Sequence, residues 1–106
     1  MWTVGFYSDD AFAEVKALPT DMQSKFRRIV EMIESHGLER MREPYVKHLE
    51  GRIWEMRLKG KDGIARSLYM TVTGRRVVVL RTFVKKTQKT PRREIEIALM
   101  RAKDVL

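Results

Sequence analysis

Trp2, Val4 and Phe6 alternate with Thr3, Gly5 and Tyr7, the two-residue period of a strand packed on one face. The period then lengthens. Ala11, Phe12, Val15 and Leu18 recur at three- and four-residue steps and predict a helix, with Ser8 or Asp9 offering an oxygen to its free N–H groups and Pro19 ending it. Pro19-Thr20-Asp21 opens a second helix whose stripe is Met22, Phe26, Ile29, Val30 and Ile33, and His36-Gly37 stops it. The two helices form a hairpin across one face of the sheet. Leu38 to Pro44, with Glu39, Arg40, Arg42 and Glu43, reads as a loop too polar for a core element. Tyr45 to Leu49 is a short strand or the approach to one.

Alternation returns from Ile53 to Lys59, with Trp54, Met56 and Leu58 on one face and Glu55, Arg57 and Lys59 on the other. Gly60-Lys61-Asp62-Gly63 is a turn and Ile64 to Val72 a returning strand, so the pair predicts a hairpin. Strict parity puts Arg66 on the face of Leu68 and Met70, above packed side chains unless a bulge re-aims it. A second turn at Thr73-Gly74-Arg75 leads into Arg76 to Val84. Its Val77-Val78-Val79-Leu80 run marks a strand covered on both faces. Thr90-Pro91 supplies an N-cap and a first-turn proline to a closing helix that carries Ile95, Ala98, Leu99, Ala102 and Val105. The order βααβββα, with hairpin-linked strands in succession, predicts an α+β fold: an antiparallel sheet with an N-terminal helical hairpin and a C-terminal helix. The length predicts a single domain over residues 1–106.

Charge narrows the partner. Lys+Arg number 22 against 14 Asp+Glu, a formal net charge of +8, which favours a polyanion: RNA, DNA, an anionic membrane surface or an acidic protein. Without cysteine there is no disulfide framework, thiolate metal site or cysteine nucleophile, and no metal-ligand cluster or cofactor motif stands out. No apolar run reaches spanning length, and no basic segment followed by an apolar core opens the chain, so a cytoplasmic protein without a membrane partner is expected.

The cations concentrate where the last strand ends, in Arg81-Thr82-Phe83-Val84-Lys85-Lys86-Thr87-Gln88-Lys89-Thr90-Pro91. If the strands pair in sequence order, Arg57, Arg66, Lys85 and Lys86 meet at one end of the sheet, with Arg81 and Lys89 as further substrate-binding cations. Such a site suits RNA cleavage by the ribose 2′-hydroxyl, because fixed cations stabilise the charge that the phosphate gains in the transition state, and it requires no metal. Lys85 or Lys86 can serve as base if neighbouring cations lower its pKa. Glu55 is the carboxylate on the strand face of Arg57. The plainer reading of Glu55, an exposed ion pair with strand neighbours, is favoured by the pattern alone. Phe83 can stack on a splayed base but reads first as the end of the core, as Trp54 and Tyr69 read first as core or cross-strand residues. The lysine run reads first as a solvated loop. His36 belongs to a helix end and His48 to a surface or strand end.

Taken together, Leu49-Glu50-Gly51-Arg52-Ile53-Trp54-Glu55-Met56-Arg57, Ile64-Ala65-Arg66-Ser67-Leu68-Tyr69 and Leu80 to Pro91 resemble the RelE/HigB superfamily of bacterial toxins, most of all its phage-derived HigB-like branch. The resemblance covers the second half of the chain. It implies the toxin of a type II toxin-antitoxin pair, a metal-independent endoribonuclease that cuts mRNA on the translating ribosome. Arg57, Arg66, Lys85 and Lys86 would then bind and activate the scissile phosphate, and Phe83 would stack on a base. The implied partners are the ribosome with its mRNA and a small helix-turn-helix antitoxin, through which alone the toxin would meet operator DNA. Glu55 stands where some RelE members have a lysine, and no tyrosine follows Lys86, so base and acid stay open. The competing expectations are a ParE-like toxin of the same fold that poisons DNA gyrase, and a non-catalytic nucleic-acid-binding module.

Overall fold

The computed structural model describes residues 1–85 and 89–106. Its elements are β1 (Thr3–Phe6), α1 (Asp9–Lys16), α2 (Thr20–His36), a 3-10 turn (Leu38–Arg40), β2 (Val46–Glu50), β3 (Ile53–Gly60), β4 (Gly63–Val72), β5 (Arg76–Lys85) and α3 (Arg92–Val105). The α+β class is the expected one, and Tyr45 to Leu49 resolves into a paired strand. The sheet has five strands in the order β1-β5-β4-β3-β2. One pairing departs from the expected antiparallel sheet, because β1 runs parallel to β5. The helical hairpin is the long connection that lets the chain cross the sheet before the meander begins, and parallel neighbours need such a crossover.

Both faces of the sheet are covered. Val15, Leu18, Met22, Phe26, Ile29 and Ile33 of the helical hairpin pack on Met56, Leu58, Ala65, Tyr69, Val77 and Val79. On the opposite face, Ala98 and Ala102 of α3 pack on Ile53, Leu68, Met70 and Leu80. This double cover is why the Val77–Leu80 run lacks polar alternation. Ser8 caps α1, its hydroxyl accepting from the Ala11 N–H at 3.2 Å. Gly60 lets the β3–β4 turn close on α2: a Cβ there would meet the Asp21 carboxylate at 2.7 Å, and that carboxylate accepts the Lys61 N–H at 2.8 Å.

Three expectations change. Met41, in the segment read as too polar for the core, is buried against the helical hairpin's face. Trp54 shares the parity of Met56 and Leu58, but it lies towards the β2 edge and stays 39% exposed. Thr90 makes no capping bond to α3, and its hydroxyl turns instead towards Glu55.

A bulge in β5 sets the direction of its second half. Leu68 pairs with Arg81 but Tyr69 pairs with Val79, so Leu80 is the extra residue. Its carbonyl, outside the regular ladder, accepts from Arg101 at 2.7 Å. β1 ends beside Val79, and α1 covers the edge of β5 beyond it, where the Glu14 carboxylate accepts the Thr82 N–H at 3.2 Å.

Candidate functional site

Across the α3 side of the sheet the register makes rows. Lys47, Glu55, Leu68 and Arg81 are successive partners in one, and Arg57, Arg66 and Phe83 in the next, with Lys85 opposite Ile64 beyond them. Side chains from these rows and from the approach to α3 line an open cleft of about 230 Å³ comprising Lys47, Leu49, Glu55, Arg57, Arg66, Lys85, Lys89, Thr90 and Ile95. Among the described residues of the cleft, five cations thus face a single carboxylate.

Arg57 and Arg66 lie directly opposite each other, a like-charge pairing that is unfavourable by itself. Glu55 offsets it. Arg66 Nη1 donates to Glu55 Oε1 at 2.6 Å and also contacts Oε2, and the two side chains are 4% and 2% exposed. The favoured reading of Glu55 as an exposed ion pair is therefore corrected: the pair is real but buried. Strict parity placed Arg66 correctly on the Leu68 and Met70 face; the bulge lies in β5, not in β4. The Thr90 hydroxyl approaches Glu55 Oε1 at 3.4 Å. Arg57 Nε and Arg66 Nε are buried donors without a hydrogen-bond partner among the described residues. Buried donors of this kind are rare enough to call for an explanation, and a bound anion supplies one.

Lys85 is half-buried in the cleft lining. Desolvation, then repulsion by Arg66, Arg57 and Lys47, holds its amine below the ordinary lysine value against the opposing pull of Glu55. This is the shift a lysine needs to offer a neutral amine closer to neutrality.

The other expected residues are distributed as follows. Lys89 lines the cleft. Phe83 neighbours Arg66 in the ladder but packs half-buried on the α3 core and is not in the cleft lining. Arg81 is drawn elsewhere: its Nε donates to Glu94 at 2.7 Å and its Nη1 to Glu14 at 2.8 Å, while Arg101 also binds Glu14. Lys86 lies outside the described residues. Sequence reasoning missed Lys47 and Thr90 as cleft residues. Extending the alternation of Val46-Lys47-His48 as a strand paired with β3 would have put Lys47 beside Glu55. No group of three or more His, Cys, Asp and Glu side chains able to hold a metal ion occurs among the described residues, nor is any described helix long and apolar enough to cross a membrane.

A mixed sheet covered on both faces, with a cation-rich cleft set into one of them beside the closing helix, defines a small basic α+β protein. The chain belongs to the family described as phage derived protein Gp49-like (DUF891), whose model matches residues 13–103. That family is associated with the toxins of toxin-antitoxin pairs. No curated protein matched the chain.

Proposed function

We propose that this protein is a RelE/HigB-type toxin that cuts mRNA on the ribosome, with the cleft as its scissile-phosphate site. The observation that carries the reading is the convergence of Arg57, Arg66 and Lys85 from three adjacent strands on one cleft, with two buried guanidinium Nε donors unpartnered among the described residues. In the reaction the ribose 2′-oxygen attacks the adjacent phosphorus, the bond to the 5′-oxygen breaks, and a 2′,3′-cyclic phosphate and a 5′-hydroxyl result. Arg57 and Arg66 hold the non-bridging oxygens as their charge grows, an effect largest in a water-poor site. Lys85, with its lowered pKa, accepts the 2′-hydroxyl proton. Glu55, both oxygens of which contact Arg66, acts as a positioning residue that fixes that guanidinium. The proton for the leaving oxygen comes from a cation at the cleft mouth or from water.

The test is a translation reaction read by primer extension. Wild-type protein is expected to create new ends within ribosome-bound message, and Arg57→Ala or Lys85→Ala to remove them while far-UV circular dichroism stays unchanged. An intact message with wild-type protein would sink the proposal; trapped gyrase–DNA complexes in a parallel assay would then assign the ParE-like activity.

A further inference from the structure

A second cavity lies on the far side of the β2 edge. It is lined by Met41, Arg42, Glu43, Val46, Lys47, His48 and Trp54, with a volume of about 520 Å³. Trp54 is the ring at its wall, 39% exposed although its strand neighbours Ile53 and Glu55 are 0% and 1% exposed. His48, its partner across the β2–β3 ladder, meets it edge-on with centroids 5.0 Å apart and planes at 61°. The imidazole is itself held, since Nε2 lies 2.8 Å from the Gly51 carbonyl and donates to it. The indole is thus braced at one edge with its surface partly open, beside Arg42, whose Nη1 is anchored on the Glu39 carbonyl at 3.0 Å. Lys47 is the link, because it lines both this cavity and the cationic cleft.

We propose that the β2 edge carries a nucleobase subsite built on Trp54, framed by His48 and Arg42, which takes a base of the RNA strand whose phosphate occupies the cleft. The inference rests on the RNA reading of that cleft and adds to it a second point of contact on the other face of the sheet. An indole flanked by cations matches the needs of single-stranded RNA, where any base can stack and the backbone follows positive charge. Lys47 supplies that charge at the edge itself. A strand rounding β2 keeps its phosphates on Lys47 and turns a base onto Trp54, so that recognition extends beyond the reacting nucleotide.

Trp2 and Trp54 are the chain's tryptophans, so Trp2→Phe leaves Trp54 as the sole indole reporter. A 2′-O-methyl hexaribonucleotide, which binds without being cleaved, is titrated at low salt by fluorescence anisotropy of a labelled end and by Trp54 emission. Both signals are expected to saturate together, and an oligonucleotide with abasic sites is expected to bind more weakly without quenching. Trp54→Ala should weaken binding about tenfold, in line with the loss of one stacked base, and Trp54→Phe should recover most of it. Binding that leaves Trp54 unquenched, an unchanged affinity in Trp54→Ala, or no binding at all would overturn the subsite. Equal quenching by polyglutamate would reassign the surface to an acidic protein. Failure of the cleavage reading is seen separately, as an intact message in the translation assay while Trp54 is still quenched by RNA.

Discussion

Arg81 and Lys85 sit on the same face of β5, yet they belong to opposite kinds of charged cluster. Around Arg81 the charges balance: Glu14 and Glu94 face Arg81 and Arg101, tying α1, β5 and α3 together through bonds of 2.7 to 3.1 Å. Around Lys85 they do not, for Lys47, Arg57, Arg66 and Lys89 share the cleft with Glu55 as its lone acid among the described residues. A balanced cluster is complete as folded. An unbalanced one held on a rigid sheet costs stability by mutual repulsion and gains it back only when an anion arrives. The contrast therefore separates charges that hold the fold from charges left in excess, which the proposed function assigns to a ligand, although the two arginine types look alike along the chain.

The sharpest way to break this contrast is to exchange its consequences. Arg57→Ala is expected to lower cleavage roughly 100-fold or more, the loss typical of one preorganised donor, with its urea midpoint nearly unmoved. Cleavage that survives Arg57→Ala would empty the cleft of its role. Next in size is Glu55→Gln, which leaves the buried Arg66 cation without its carboxylate and should cost about 3 kcal/mol of stability in urea unfolding. Glu55→Leu combined with Arg66→Met should cost less than Glu55→Gln, since no buried charge is then stranded. Arg81→Ala comes third: its side chain is 23% exposed, so the loss should be nearer 1 to 2 kcal/mol, with cleavage per folded molecule unchanged. A dead but stable Arg81→Ala would invert the comparison.

The smallest effect is on pH. Because the folded pKa of Lys85 is lowered, the native state binds fewer protons than the unfolded chain between that lowered value and the ordinary 10.5. Its contribution to stability therefore rises with pH across this window and is lost as pH falls through the lowered value. Lys85→Gln removes the dependence and should raise the midpoint near pH 7 by a few tenths of a kcal/mol, roughly. Cleavage in the wild type should climb as pH rises to and through that lowered value and level off above it, and Lys85→Arg should flatten the climb by remaining charged.

Much of the fold could be read from periodicity because the sheet is covered by discrete amphipathic elements. Met56 and Leu58 announce β3, and the stripe from Met22 to Ile33 announces α2. The pairing of β1 could not be read, since a four-residue strand carries the same alternation beside any neighbour and in either direction. That Arg57, Arg66 and Lys85 would meet in one cleft was legible because consecutive strands align by register alone. The depth of Glu55 was not, because the alternation of β3 speaks only of its Met56 face, and it is the approach to α3, with Thr90, that closes over the carboxylate. That Arg81 is drawn out of the cleft was not legible for a related reason: its acids, Glu14 and Glu94, come from helices apart from β5 in sequence.

The single extra residue at Leu80 also decides how the chain tolerates changes of length. Val77 and Val79 face the helical hairpin, while Arg81 and Lys85 face the side of α3, and only the irregular step between them makes both true. In a β5 that ran on without that step, Lys85 would turn away from Arg66. Removing Leu80 alone would leave a regular strand with Arg81 and Lys85 still on their present face, at the expense of one buried side chain. Removing Val84 instead would reverse Lys85 while sparing the core. A deletion scan along this strand is thus expected to be asymmetric, gentler on the cleft at the buried leucine than at the exposed valine.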